Sequence, residues 1–316
     1  MQHPTAKDIE FAHKSISKGV HRTPILQSTA INQLAGCEIY FKCENFQKVG
    51  AFKMRGALFA LQQLTEAEKA NGVVTHSSGN HAQAVALAAK ELGIKAYIVM
   101  PENSPKVKVE AVKSYGGEIT FCASNLEARE SEMLKIKAAT QATFIPPYDH
   151  FNIICGQATA AKELIEDCRD LDAILCPVGG GGLLAGTSLS NKYFHNALVY
   201  GCEPSGADDA YQSFKSGKLI PQENPKTIAD GLRTSLGELN FSIIKKEVED
   251  ILCVSEEAIV DAMRPIWERM KIIVEPSAAV PLAAVLANKP LFQNQKVGII
   301  LSGGNVDLGD YFESIH

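Results

Sequence analysis

The sequence predicts an α/β protein with two parallel sheets, in which a smaller layered unit is inserted into a larger one. Short apolar runs alternate with helix-period segments along the chain, the pattern of strand–helix–strand layers. Several of those runs end in a Gly, Ser or Asn junction that opens a helix, the place where open α/β sheets bind ligands. At 316 residues and 46% hydrophobic, the chain is long enough for two cores. The boundaries read as a large domain of residues 1–62 and 150–316, a small domain of residues 72–147, and hinges at 63–71 and 148–149.

The elements follow in order. Cys37 to Cys43 alternates as a strand and runs into Gly50-Ala51-Phe52-Lys53-Met54-Arg55-Gly56-Ala57. Gly72 to Thr75 is a short strand, followed by Thr75-His76-Ser77-Ser78-Gly79-Asn80-His81 and a helix from Asn80. Ala82, Val85, Ala86, Ala89 and Leu92 recur there at helical spacing. Strands at Lys95 to Met100 and Glu118 to Phe121 alternate with helices opening at Pro105 and Asn125. Leu171 to Cys176 is a buried strand, Pro177-Val178-Gly179-Gly180-Gly181-Gly182 a glycine junction, and Leu183 to Tyr193 a helix. Ala197 to Cys202 is the next apolar run, Leu219 to Leu236 the least regular stretch, and Gly298 to Leu301 a last strand ending in Ser302-Gly303-Gly304-Asn305.

The junctions carry the chemistry. Four glycines between an apolar strand and a helix let main-chain N–H groups and the helix dipole converge on a phosphate. Two ligands compete for that loop. Gly180-x-Gly182-x-x-Ala185 followed by Glu203 satisfies the degenerate dinucleotide fingerprint, with Glu203 as the ribose carboxylate of an NAD-dependent oxidoreductase. That reading leaves the upstream blocks idle. Lys53 lies among small and apolar residues, where lost hydration lowers an amine's pKa and makes it a nucleophile toward an aldehyde; taken alone it is an ordinary lysine whose stem covers apolar neighbours. Ser77 to His81 exceeds what a helix cap requires, and its hydroxyls and N–H groups suit a carboxylate.

Composition excludes other classes. A net charge of −5 offers no basic footprint for nucleic acid. Met1-Gln2-His3-Pro4 begins no signal peptide, and no apolar run approaches a membrane span. The eight cysteines lack C-x-x-C spacing, as expected of reduced thiols in a cytoplasmic protein.

Taken together, these blocks resemble the fold-type II pyridoxal-phosphate enzymes, and within them the serine racemase and serine/threonine dehydratase branch, over essentially the whole chain. The resemblance implies that Lys53 carries pyridoxal 5′-phosphate as a Schiff base with Phe52 beside the ring. It also implies that Gly179, Gly180, Gly181 and Gly182 hold the phosphate, that Asn80 contacts the phenolic oxygen, that Gly231 lines the cofactor and that Ser302 faces the pyridine nitrogen. Ser77, Asn80 and His81 would receive the substrate carboxylate. Lys53 would move the Cα proton, with Ser78 as the acid/base of the opposite face when the outcome is racemisation. The implied activity is β-elimination of L-serine or L-threonine to a 2-oxo acid and ammonia, with serine racemisation beside it, in a homodimer.

Further residues follow from the same resemblance. Glu203, the carbonyl of Ala207 and Asp209 form an oxygen ligand set for Mg²⁺, Ca²⁺ or Mn²⁺, against the plain reading of a solvated acidic turn. Arg129 can approach a distal carboxylate, which makes 3-hydroxyaspartate a candidate, although Leu126 to Glu132 also reads as a solvated helix face. Asn152 and Thr234 fall near the substrate. The chain departs from the pattern at Phe151, where relatives have proline, and at Ala158, where they have glycine; His150 reads as a hydrogen-bonded hinge residue. A β-replacement enzyme of the same fold and an inactive amino-acid-binding module remain as rivals, the first opposed by the acidic loop and the second by an intact Lys53.

Overall fold

The computed structural model describes residues 2–77, 79–104 and 106–309. Its strands are β1 (Ile25–Leu26), β2 (Glu38–Cys43), β3 (Val73–His76), β4 (Ala96–Pro101), β5 (Glu118–Cys122), β6 (Thr143–Phe144), β7 (Ala173–Pro177), β8 (Leu198–Pro204), β9 (Asp250–Val254) and β10 (Lys296–Leu301). They form a six-stranded sheet ordered β1-β2-β10-β7-β8-β9 and a four-stranded sheet ordered β5-β4-β3-β6. Every pairing is parallel except the short β1 against β2. The helices are α1 (Ala6–Ile16), α2 (Thr29–Ala35), α3 (Lys53–Gln62), α4 (Glu66–Asn71), α5 (Asn80–Leu92), α6 (Lys106–Ser114), α7 (Leu126–Thr140), α8 (Phe151–Asp167), α9 (Gly182–Phe194), α10 (Asp209–Ser216), α11 (Glu238–Glu247), α12 (Glu256–Pro265), α13 (Pro276–Ala287) and α14 (Lys289–Phe292).

Strand and helix ends shift slightly from the sequence reading, for local reasons. β3 starts at Val73 because Gly72, at φ +84°, closes α4 instead. Asn125 is the cap of α7, its side chain accepting the Ala128 N–H at 2.8 Å. The helix expected from Pro105 is described from Lys106, Pro105 itself lying outside the described residues.

The large sheet is covered on both faces, which is why β7 and β10 are almost wholly apolar. On one face lie α13 and α12 with Val280, Leu282 and Ile259; on the other lie α8, α9 and α11 with Leu164, Leu184 and Ile243. The smaller sheet's core joins Val73, Ile98 and Val85 to Met54, Leu58 and Leu61 of α3 and to Ile16 of α1. Helix α3 therefore packs into the core of the smaller sheet while its first residues abut the larger one.

Close crossings fix α3 in place. A Cβ on Gly156 of α8 would sit 2.5 Å from Gly56 Cα and 2.6 Å from the Arg55 carbonyl oxygen, so only glycine lets the two backbones meet. Two residues on, a Cβ on Gly186 of α9 would lie 2.7 Å from the Ala158 nitrogen, so α8 and α9 also meet backbone to backbone. Beside this crossing lies a fully buried ion network. The Arg55 guanidinium pairs with Glu44 (2.7 and 2.8 Å) and Glu163 (two contacts of 2.8 Å), and Lys42 with Glu163 at 2.7 Å. Two cations face two anions, so the buried charge is balanced.

Candidate active site

The glycine junction, the lysine block, the Ser77–His81 block and Ser302 all converge at the carboxyl ends of the two sheets. Lys53 opens α3, and its amine donates to the Pro147 carbonyl at 2.7 Å and lies 5.2 Å from the Phe52 ring centroid. The Phe52 N–H donates to the Ser302 carbonyl at 3.0 Å, tying the lysine's neighbour to the end of β10. Burial lowers the Lys53 pKa to about 8, with the Glu275 charge opposing the drop. The sequence expectation of a desolvated amine is met by this geometry.

The phosphate loop is walled by aromatic and main-chain groups. A Cβ on Gly180 would fall 2.2 Å from Tyr148 Cγ, so the Tyr148 ring lies directly on the loop. Gly181 has φ +89°, a left-handed conformation open to glycine, and serves as the cap of α9. The first N–H groups of α9 have no carbonyl within their own helix, which leaves an anion cradle of main-chain donors. Beside Gly179 stand the Gly231 carbonyl and Thr234 Oγ1, 3.2 and 3.4 Å from where a Cβ would be, and the Gly231 N–H donates to Ser277 Oγ at 3.1 Å. This cradle, with the half-buried amine opposite, fits pyridoxal phosphate.

The substrate-side residues are placed unevenly. Ser77 follows β3 and its Oγ accepts the Gly79 N–H at 3.3 Å. Ser78 lies outside the described residues. Asn80 opens α5, donating from Nδ2 to the Glu275 carboxylate (2.9 and 3.2 Å) and accepting from Asn305 at 2.9 Å. His81 corrects one expectation. Its imidazole is buried with Nε2 against the Ile145 carbonyl at 3.1 Å, and burial, then Lys53, push its pKa down to about 3. A neutral ring with its proton on Nε2 presents only a lone pair at Nδ1, so its side chain is no donor to a carboxylate and any contact comes from the main-chain N–H. Asn152 sits in the first turn of α8, its N–H donating to His150 Nδ1 at 3.3 Å; His150 is the helix cap, as a hinge residue should be. With Phe151 in place of proline, the chain enters α8 through that imidazole cap. Arg129, on α7, forms no ion pair among the described residues, and its Nε donates to the Asn125 carbonyl at 3.3 Å; burial, then the Arg129 charge, lowers the His76 pKa, while burial raises that of Tyr148.

Glu275 escaped the sequence reading. It precedes Pro276 at the start of α13, an N-terminal signal that would have marked it as a cap rather than a site residue. In the fold it is 2% exposed, grips Asn80, and has its pKa raised to about 7, chiefly by burial and then by Asp230. Lys108 of α6 and Asp230 add an ion pair at 2.5 Å to the Asn80–Glu275 hydrogen bond.

The acidic loop is more than a solvated turn. Glu203, at the end of β8, is fully buried and accepts the N–H groups of Ala210 (3.2 Å) and Tyr211 (2.9 Å). Asp209 Oδ2 accepts the Leu236 N–H at 2.8 Å, while its Oδ1 is buried without a partner. Burial raises the Glu203 carboxyl to about 9 and that of Asp209 to about 6. Ala207, with its N–H on the Pro204 carbonyl at 2.9 Å, turns the chain between them. A cavity of about 340 Å³ opens beside Asp208, Asp209 and Glu223. Asp209 Oδ1 is thus an unmet oxygen beside the buried Glu203 carboxyl, a donor type that divalent cations take, while no group of three or more His, Cys, Asp or Glu side chains gathers among the described residues.

Comparison with known proteins agrees with this geometry. The model of the pyridoxal-phosphate dependent enzyme family matches residues 16–303. A serine racemase of Dictyostelium discoideum is 50% identical over 309 residues, covering 96% of this chain and 95% of the relative. A beta-hydroxyaspartate dehydratase of Paracoccus denitrificans is 46% identical over 96% of this chain and 97% of its own. The crystal structure of a T.th. threonine deaminase superposes with a TM-score of 0.92 at 42% identity, covering 96% of this chain and 99% of that one. With the family model matched over residues 16–303 and relatives at 46–50% identity over nearly its whole length, the chain belongs to the pyridoxal-phosphate dependent enzymes.

Proposed function

We propose that this protein eliminates water from L-serine and L-threonine to give a 2-oxo acid and ammonia, and that racemisation of serine is a second outcome at the same site. The observation that carries the reading is the Lys53 amine, half-buried between Phe52 and Pro147, its pKa lowered by burial to about 8. Pyridoxal phosphate, when bound, supplies an electron sink for bond breaking at Cα. Lys53 would hold the cofactor, and its amine would take the Cα proton. Gly179 to Gly182 and the α9 N-terminus fix the phosphate. Ser77, Asn80 and the N-terminus of α5 orient the substrate carboxylate. Ser302, a neutral hydroxyl, would face the ring nitrogen without protonating it, which would favour loss of the β-hydroxyl. Ser78 is assigned the opposite face in racemisation. Glu203, the Ala207 carbonyl and Asp209 hold Mg²⁺, or Ca²⁺ or Mn²⁺, through oxygen ligands.

Arg129, with no carboxylate partner among the described residues, is read as the group that meets a distal carboxylate, which makes 3-hydroxyaspartate a second substrate. We further read the protein as a cytoplasmic homodimer: all eight cysteines are free thiols, and Phe46 and Ile273 stay exposed beside the Asn45–Ile273 hydrogen bond. No described helix is long and apolar enough to cross a membrane.

The test is incubation with Mg²⁺, pyridoxal phosphate and either L-serine, L-threonine or L-threo-3-hydroxyaspartate, following keto-acid release and product chirality. Lys53→Ala is expected to lose the visible cofactor band and all turnover. Arg129→Leu is expected to raise KM for hydroxyaspartate alone. Keto acid from none of the three substrates would refute the reading.

A further inference from the structure

The acidic pair and the glycine loop follow different strands, β8 and β7, yet one segment touches both. Asp209 Oδ2 accepts the Leu236 N–H at 2.8 Å, and the next residue, Gly237, donates its N–H to the Gly180 carbonyl at 3.2 Å. Asn240, fully buried in the first turn of α11, donates from Nδ2 to that same carbonyl at 2.6 Å. Side chains complete the contact. A Cβ on Gly181 would lie 2.5 Å from Leu236 Cδ1 and 2.9 Å from Asn240 Cβ, so these two residues form the wall behind the loop. The far end is anchored too, since the Asp149 carboxylate accepts the N–H groups of Leu239 (3.4 Å) and Asn240 (3.0 Å).

Residues 236–240 are thus wedged between an acidic carboxylate and the loop that cradles the phosphate. At each end a buried oxygen is left without a partner, Asp209 Oδ1 at one and Asn240 Oδ1 at the other. A carboxylate held through one oxygen can turn, and turning would release the Leu236 N–H. A cation on Oδ1 fixes both oxygens, which holds the Leu236–Gly237 peptide and keeps the Gly237 N–H on Gly180. In the other direction, a phosphate drawn to the loop's N–H groups fixes Gly180 and, through it, the same peptide.

We propose that residues 236–240 couple the two sites, with Asn240 as the residue that positions the phosphate loop, so that a divalent cation and the cofactor phosphate bind with mutual assistance. This rests on the reading of Glu203 and Asp209 as a cation pair. Linkage requires the assistance to be reciprocal: whatever factor Mg²⁺ adds to cofactor affinity, the cofactor adds to Mg²⁺ affinity.

The experiment uses the loaded enzyme. Retention of pyridoxal phosphate is measured by equilibrium dialysis in Mg²⁺ or in EDTA. Mg²⁺ affinity is measured by calorimetry with and without the cofactor. Expected is a tightening of about 5-fold or more in each direction, by the same factor. In Asn240→Ala, and in the milder Asn240→Ser, cofactor affinity falls and the coupling factor collapses towards unity, while Mg²⁺ affinity of the cofactor-free protein keeps its wild-type value. Mg²⁺ that binds without changing cofactor affinity would overturn the coupling and leave the cation pair standing. Absence of any Mg²⁺ binding would overturn both. Full coupling in folded Asn240 variants would remove Asn240 from the link. If neither variant folds, the wild-type reciprocity decides.

Discussion

Replacing Gly156 by alanine tests the geometry that holds Lys53. The added Cβ would stand 2.5 Å from Gly56 Cα and 2.6 Å from the Arg55 carbonyl oxygen, short of an ordinary 3.4 Å contact by about 0.9 Å. Both obstacles are backbone, so no side chain can swing aside and α3 must move from α8. Overpacking of this kind costs about 1–3 kcal/mol, which lowers the unfolding midpoint of a chain this size by roughly 2–6 °C. The functional effect should be larger. Arg55 and Gly56 lie within one turn of Lys53, so the separation carries the amine with it, and a misplacement near 1 Å costs about 100-fold in rate. The assay pairs thermal unfolding with keto-acid release from L-serine by the loaded enzyme. Gly56→Ala is the internal comparison: its Cβ meets chiefly the Gln157 side-chain amide at 2.4 Å, which can turn away, so a smaller loss is expected. Unchanged midpoint and turnover in Gly156→Ala, or equal losses in the two variants, would refute the argument.

Three more outcomes follow from the same structure. Cofactor loading of the free protein needs a neutral Lys53 amine, so its rate should rise with pH through about 8; Glu275→Gln removes the charge that raises the Lys53 pKa and should move that midpoint to lower pH, as followed by stopped-flow absorbance. Arg55→Met strands Glu44 and Glu163 in the interior with Lys42 and the His13 imidazole as the remaining partners of Glu163, and is expected to cost about 3–5 kcal/mol in denaturant unfolding; an unchanged midpoint would show the network contributes little. Glu203→Gln removes the charge and sets an amide donor against one of the two N–H groups, of Ala210 and Tyr211, that the carboxyl accepts, and should abolish Mg²⁺ binding in calorimetry, while retained binding would place the cation elsewhere.

The sequence carried the parts whose signal is local. Strand–glycine–helix junctions at Gly179 to Gly182 and Ser77 to His81 are written in residues that neighbour one another, because loops at strand ends demand glycine and capping side chains at fixed offsets. Lys53 was not legible from its own octapeptide, which reads as an ordinary lysine covering apolar neighbours, and stood out only beside the other junctions. Glu203 and Asp209 were found as candidates, six residues apart.

What the sequence left open depends on residues distant in the chain. Glu275 grips Asn80 across 195 positions, and nothing around Glu275-Pro276 separates it from a helix cap. The His81 imidazole turned out to be spent on Ile145, which only the packing of α5 against the end of the smaller sheet could decide. Residues 236–240 lie at and just beyond the end of the least regular stretch, without a periodic signal, and acquire their role through hydrogen bonds to Asp209 and Gly180. Sequence alone determined which residue types stand at each strand end and hence the chemistry available. The tertiary structure decided which of them meet, because burial and long-range hydrogen bonds are set by how the two sheets and α3 pack.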